Sequence, residues 1–135
     1  ITLFVRKVFN PALRAAEEGR YLATFHFLLG ALIAILYFPP YISLASIAVL
    51  TFGDPAASFF GLRFGTHKLF YNREKSIVGS TAMFFATLSL LFLFGFAPSK
   101  AFLSALTVTI FESLPSKGAD NLIIPVVSGV ALFCL

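Results

Sequence analysis

Formal charges along this chain are gathered into a few short breaks, and long apolar runs lie between them. Leu22 to Phe38 carries no charge, and Tyr41 to Phe60 carries only Asp54, which is followed by Pro55. Ile77 to Ala97 is the cleanest run. Ala101 to Leu114 is shorter and contains Glu112, and Leu122 to Leu135 is short and uncharged. A helix needs about 20 apolar residues to cross a bilayer, within a range of roughly 17–25. The pattern therefore predicts an all-α fold: a polytopic integral membrane helical bundle of about five transmembrane helices. The spans fall near 22–38, 41–60, 77–97, 101–114 and 122–135, in a single domain covering 1–135. Ile1 to Arg20 reads as an amphipathic or interfacial segment that ends in the charged run Arg14 to Arg20.

Composition supports this reading. The chain is 59% hydrophobic and 12% charged, with a mean hydropathy of +0.93. Soluble domains lie nearer half apolar and a quarter charged, so a water-soluble fold is not expected. Cys134 is the only cysteine, which removes a disulfide framework and a thiolate metal cluster. The chain opens on Ile1, and charged residues follow Arg6 where a signal peptide would have a small-residue cleavage site. This predicts a partial or N-terminally shortened product that lacks upstream helices.

Charge orients the spans, because Lys and Arg concentrate in cytoplasmic loops. With the N-terminus inside, nine of the ten Lys and Arg residues lie on the inner side, and only Lys100 lies outside. The outer turns, Pro39-Pro40 and Pro98-Ser99-Lys100, are short, while the inner loops are longer and polar. Any chemistry is expected at the cytoplasmic face of a multi-pass membrane protein.

Three segments carry candidate chemistry. In Gly53-Asp54-Pro55-Ala56-Ala57-Ser58, an ionised carboxylate at membrane depth costs roughly 2.5–3.5 kcal/mol on insertion scales and so faces a cavity, a partner or a metal. Asp is a favoured N-cap and Pro a favoured first helical residue. The second helix is therefore expected to break at Asp54 and restart at Pro55. A plain proline kink with a capping Asp is the alternative. Gly61 and Gly65 have the spacing that permits close helix approach.

In the basic segment Gly61 to Ser76, His67, Lys68, Arg73, Lys75 and Ser76 surround Leu69-Phe70-Tyr71. Its cations suit phosphate oxygens, or merely touch anionic lipid. Ser76 is placed to cap the third helix, and Gly79 and Ser80 would let a ligand approach that helix N-terminus, which favours anions. In Phe111 to Asn121, Asp120 and Asn121 would cap the fifth helix. Asp54, Glu112 and Asp120 together could hold Mg²⁺, which takes one or two carboxylates plus substrate phosphates. The plainer reading pairs Glu112 with Lys117 and leaves Asp120-Asn121 as a cap only. His26 reads as a packing residue, and Arg14 with Glu17 as a helix-surface pair. The G-x-x-x-x-G-K-[ST] loop is absent, which excludes a soluble P-loop kinase.

The ordered motifs G-D-P-A-A-S-x-x-G-x-x-x-G-x-x-K, E-K-S-x-x-G-S and E-S-L-P-x-x-x-x-D-N-L resemble the polyprenol kinase family of integral membrane enzymes. That family includes dolichol kinase, phytol kinase and the CTP-dependent diacylglycerol kinase. Leu13 to Gly30 also looks like the family's segment before its aspartate helix, and the resemblance covers about Asn10 to Gly129. Family members generally carry further N-terminal helices and a basic segment well before the aspartate; Arg6-Lys7 lies too near Asp54 to match it.

The resemblance implies transfer of the γ-phosphoryl group of CTP, with Mg²⁺, to the hydroxyl of an isoprenoid alcohol or diacylglycerol. On the matching positions, Asp54, Lys75 and Glu112 would be catalytic. Gly61, Gly65, Lys68, Lys75, Ser76, Gly79, Ser80 and Asn121 would bind the nucleotide phosphates, and Asp54, Glu112 and Asp120 the metal. The expected partners are the lipid bilayer, a lipid alcohol and a nucleoside triphosphate. No nucleic acid is expected, and an oligomer is left open. Two other functions fit the sequence: cytidylyl transfer from CTP to phosphatidate, and a non-enzymatic membrane transporter, since broken helices and midplane polar groups also mark transporters.

Overall fold

A computed structural model of the chain describes residues 2–114 and 119–135, with side chains at 19, 21–114 and 119–135. The described residues form five α-helices and no strand: α1 (Thr2–Tyr37), α2 (Pro40–Phe64), α3 (Ile77–Leu93), α4 (Pro98–Ser113) and α5 (Asp120–Cys134). The all-helical, five-element expectation holds. Of these helices, α2 alone is both long and apolar enough to cross a membrane; α3, α5 and the Tyr21–Tyr37 part of α1 are apolar but shorter.

Helix ends follow local chemistry. Pro40 and Pro98 open α2 and α4 at positions where the missing N–H has no intrahelical partner to lose. α3 stops at Leu93, short of the expected Ala97, because Gly95 takes a positive φ of 77°. There Gly95 N–H donates to the Phe92 carbonyl and Phe96 N–H to that of Leu91, which ends the helix in a left-handed turn. The backbone of α1 is continuous from Thr2 to Tyr37, so no break separates residues 2–20 from the apolar run after them.

The expected break at Asp54 does not occur. α2 passes through Pro55 as one helix. An internal proline costs about 3 kcal/mol in lost hydrogen bonding and steric conflict. Here the flanks are packed: Gly53 is buried against Met83 of α3, and Ala57 is buried one turn on. Tertiary packing on both sides of the proline outweighs the local preference to restart.

α2 packs on α3, α3 on α4, α4 on α5 and α5 back on α2; α1 lies outside, mainly along α5. Small residues set the spacing. Gly61 of α2 faces Gly79 of α3, Gly30 of α1 lies against Pro125 of α5, and Gly129 lies under the Phe38 ring. The interior holds Val49, Met83, Leu91, Val108, Ile124 and Leu132, together with buried Ser46, Thr87, Ser104 and Ser128. Large apolar side chains including Leu28, Leu36, Leu44, Phe52, Leu93 and Phe133 point outward.

The two ends of the bundle differ in chemistry. At one end Tyr41 meets the rings of Phe94 and Phe96, Phe38 meets Phe133, and Lys100 Nζ donates to the Leu132 carbonyl at 3.0 Å. The other end gathers the C-termini of α2 and α4, the N-termini of α3 and α5, and the basic connection between α2 and α3. Candidate chemistry is confined to this second end.

Candidate active site

The α2–α3 connection is folded into a small hairpin. Ile77 N–H donates to the His67 carbonyl and Leu69 N–H to that of Lys75, both at 3.1 Å, and Lys68 and Ser76 form an antiparallel bridge. Lys75 N–H closes the turn onto the Asn72 carbonyl at 3.2 Å. The turn is pinned to α4: Asn72 Nδ2 donates to the Ser113 carbonyl at 3.0 Å, and the Tyr71 hydroxyl donates to Ser113 Oγ at 2.8 Å. Phe70 stands at the tip, 93% exposed. Sequence reasoning missed Tyr71 and Asn72 as positioning residues; both lay in view within a segment read for its cations and for the Ser76 cap.

The hairpin delivers Lys75 to two acids. Its Nζ donates to Glu112 Oε1 at 2.6 Å and to Asp120 Oδ2 at 2.8 Å. Glu112 is only 2% exposed, on the last turn of α4, and Asp120 opens α5. Asp54 is within electrostatic reach of Lys75 and of Asp120. Burial alone would lower the Lys75 pKa. Its hydrogen bonds to Asp120 and Glu112 outweigh that and push the ammonium above the ordinary lysine range.

Ser76 caps α3, as expected. It has extended backbone angles (φ −126°, ψ 155°), and its hydroxyl accepts from Gly79 N–H at 3.1 Å. A cleft of about 170 Å³ lies beside it. Lys68, Lys75, Ser76, Gly79, Ser80, Glu112 and Gly61, all expected site residues, line it together. Ala57, Ser58, Leu62 and Glu74 complete the wall. Ser80 Oγ and Glu112 Oε2 are buried without a hydrogen-bond partner among the described residues. Among those residues Lys68 also has no ion pair, so the cleft offers a free cation.

Other expected residues sit elsewhere. Asp54 does not line the cleft; it lies one helical turn below Ala57 and Ser58, on the same face of α2. Gly65 is filled against Gly61 and Ser76 and serves packing. Asp120 and Asn121 do not cap α5, whose N-cap is Ala119 with no side-chain cap. Asn121 Nδ2 turns to the Ala23 carbonyl of α1 at 3.2 Å, because α1 packs along α5 and its carbonyl lies within reach. The described partner of Glu112 is Lys75; Lys117 lies outside the described residues, and so do the side chains of the Arg14–Glu17 pair. His26 rests beside the Phe25 ring, centroids 6.2 Å apart.

No group of three His, Cys, Asp or Glu among the described residues is arranged to hold a metal. Lys75 occupies the space between Glu112 and Asp120. The oxygens left over are still hard donors: Glu112 Oε2 and Asp120 Oδ1 are both buried and unpartnered. If Asp54, Glu112 and Asp120 are all ionised, a single ammonium faces three carboxylates. That donor set and charge balance fit a divalent cation of the Mg²⁺ type, held by one or two carboxylates with substrate phosphates supplying the rest.

No family model matches the chain, and no solved structure matches it. The chain is similar to the probable phytol kinase, chloroplastic, of Triticum aestivum, with 34% identity over 110 residues, which is 70% of this chain and 37% of that protein. It is similar to the probable phytol kinase 1, chloroplastic, of Oryza sativa subsp. japonica, at 33% over 110 residues, 70% of this chain and 35% of the relative. The farnesol kinase, chloroplastic, of Arabidopsis thaliana is 35% identical over 109 residues, 70% of this chain and 36% of the relative. The chain thus spans little more than a third of the length of the curated relatives it matches. With the three ordered motifs brought to one end of the bundle, these likenesses identify the chain as belonging to the polyprenol kinase family.

Proposed function

We propose that this chain carries the phosphoryl-transfer site of a membrane-embedded lipid kinase whose acceptor is an isoprenoid alcohol of the phytol or farnesol type and whose donor is a nucleoside triphosphate, CTP by family resemblance. The observation that carries the reading is Lys75 held between Glu112 and Asp120 at the edge of a cleft walled by Ser76, Gly79, Ser80 and Lys68. Phosphoryl transfer needs positioning and charge neutralisation more than covalent chemistry. Two lysines, three serine hydroxyls (Ser58, Ser76, Ser80) and a helix N-terminus supply both. The cleft volume of about 170 Å³ is below the range of about 300–1,000 Å³ usual for whole small-molecule sites. It suits a phosphate tail, with the base held outside it.

In this reading Lys68 and Lys75 hold the phosphate oxygens. Glu112 and Asp120 would hold Mg²⁺ through their unpartnered oxygens, with Asp54 adding negative charge nearby; when bound, the ion neutralises charge on the transferring phosphoryl group. The alcohol oxygen forms a bond to the γ-phosphorus as the bond to the β-phosphate oxygen breaks. The hydroxyl proton passes to the site carboxylates, of which Glu112 lines the cleft and Asp54 lies a turn below its wall, and the nucleoside diphosphate leaves.

The outward-facing Leu and Phe side chains support a multi-pass membrane setting, because apolar surface on this scale marks lipid or partner contact. Arg63, Lys68, Arg73 and Lys75 lie at the cleft end and Lys100 at the other, so the cleft faces the compartment that retains positive loops. In this reading that compartment is the cytoplasm.

The test is to incubate membranes carrying the protein with γ-labelled CTP or ATP, Mg²⁺ and a panel of phytol, farnesol, dolichol and diacylglycerol. Label moving into the lipid phase with release of a nucleoside diphosphate supports the proposal. Release of pyrophosphate from CTP and phosphatidate would assign cytidylyl transfer instead. Nucleotide-independent lipid flux in liposomes would assign a transporter.

A further inference from the structure

An apolar furrow of about 530 Å³ runs along α2 and α3 outside the cleft. Its lining includes Ala56, Phe60, Ile77, Ala82, Phe85 and Ala86. Small side chains line it together with the exposed rings of Phe60 and Phe85. The two cavities adjoin in the chain itself. Phe60 lines the furrow and Gly61 the cleft; Ile77 lines the furrow and Ser76 the cleft; Ala56 and Ala57 divide in the same way. From Ile77 the furrow follows α3 to Ser89, about 18 Å at 1.5 Å per residue. It begins at the polar end of the bundle and runs toward the aromatic end, so anything lying in it has its head at the phosphate cleft and its tail in the apolar interior.

We infer that this furrow seats the hydrocarbon tail of the acceptor alcohol, with the hydroxyl presented toward the phosphate cleft at the polar end of α2 and α3. The inference rests on the kinase reading for the identity of the head group, and on the furrow's own geometry for the tail. A hydrocarbon tail fits: the furrow extends about 18 Å along α3, small side chains are among its lining residues, and its volume lies within the usual range of about 300–1,000 Å³ for a small-molecule site. The hydroxyl of Thr81 is already bonded to the Ile77 carbonyl at 2.8 Å and makes no polar demand on an occupant. Ala82, Phe85 and Ala86 are then the residues that set tail length and branching.

The test is photolabelling of the protein in liposomes with a diazirine-bearing farnesol analogue, with labelled residues mapped by mass spectrometry. Label should concentrate on Ala82, Phe85 and Ala86, fall several-fold with excess phytol, and vanish in the Ala82→Phe/Ala86→Phe double variant. In phosphoryl-transfer assays the same variant should raise the ratio of KM for phytol to KM for a short water-soluble prenol by about tenfold or more, the discrimination a filled apolar pocket provides. Phe85→Ala removes an exposed wall without filling anything and should also raise KM for phytol. Label spread equally over Phe102 and Phe133, label that phytol does not displace, or another segment of the protein cross-linked into the furrow overturns the inference. A protein labelled in the furrow that phosphorylates no alcohol overturns the kinase reading and leaves the tail seat standing. One that phosphorylates alcohols while label sits elsewhere overturns the tail seat alone.

Discussion

The Lys75 ammonium lies 2.6 Å from Glu112 Oε1, which joins the turn before α3 to the last turn of α4. Both groups are substantially shielded, with side-chain exposures of 22% and 2%. A second contact, 2.8 Å to Asp120 Oδ2, brings in the start of α5. One ammonium thus ties three elements at the end of the bundle where the cleft opens. Removing one partner of such a pair leaves an uncompensated buried charge, which costs more than the pair itself contributes. The Lys75→Met variant should therefore lose activity and about 3 kcal/mol of stability. Lys75→Met/Glu112→Gln should recover part of the stability and none of the activity. Denaturant melts in detergent and a transfer assay on the same preparations separate the two effects; a double variant no more stable than the single would refute the pairing argument.

The charge of Lys75 also fixes a pH dependence. Its folded-state pKa is raised, because Asp120 and Glu112 overcome burial. A raised pKa stabilises the fold fully below the unfolded-state value and loses that contribution as pH climbs through the folded-state value. The unfolded lysine value is about 10.4. No loss of stability traceable to Lys75 is expected on the alkaline side until pH passes that region. Comparing melts of the wild type and Lys75→Met from about pH 7 to 11 checks the sign: the gap between them should be constant up to about 10 and shrink above it.

Much of the site was legible in the sequence because its residues are rare in their surroundings. Asp54, Glu112 and Asp120 are half of the six acids in a largely apolar chain, and alternating spans carry all three toward one end. What stayed hidden was decided by contacts between elements. Nothing in His67 to Ile77 alternates as a strand, yet the segment pairs with itself because Asn72 and Tyr71 are pinned to Ser113. Asp54-Pro55 carried a strong local signal for a helix start, and packing of Gly53 and Ala57 overrode it. Asn121 looked like a cap and instead reaches α1, a partner that no local rule could name.

Asp54 separates chemistry from scaffolding. It makes no hydrogen bond or ion pair with the described side chains around it, and acts on Lys75 and Asp120 only through space. Asp54→Asn should leave membrane insertion and melting behaviour unchanged while abolishing phosphoryl transfer. Normal turnover in purified Asp54→Asn protein would remove the residue from the mechanism.

The glycines of the first two motifs make the last prediction, and it tests whether the motif spacing reports packing or ligand contact. A Cβ on Gly79 would sit 2.9 Å from the Ala57 carbonyl oxygen, a backbone atom that cannot swing aside, and 3.2 Å from Ser76 Oγ. A Cβ on Gly61 would meet Ser76 Oγ at 3.1 Å and the Gly79 Cα at 3.3 Å. Gly79→Ala must therefore part α2 from α3, and overpacking of this kind costs about 1–3 kcal/mol. Gly61→Ala presses on the Ser76 cap but at longer distances than the 2.9 Å met by Gly79→Ala, and should cost less. Gly19 has nothing within 4 Å of an added Cβ and lies inside α1, so Gly19→Ala should be neutral or stabilise by about 0.5–1 kcal/mol. The expected order of melting temperature is Gly19→Ala, Gly61→Ala, Gly79→Ala from highest to lowest. Because the cleft is walled by the same two helices, transfer activity should fall in that order too. If Gly79→Ala melts like the wild type but has lost nucleotide dependence, the glycine serves ligand contact and not the helix–helix seam.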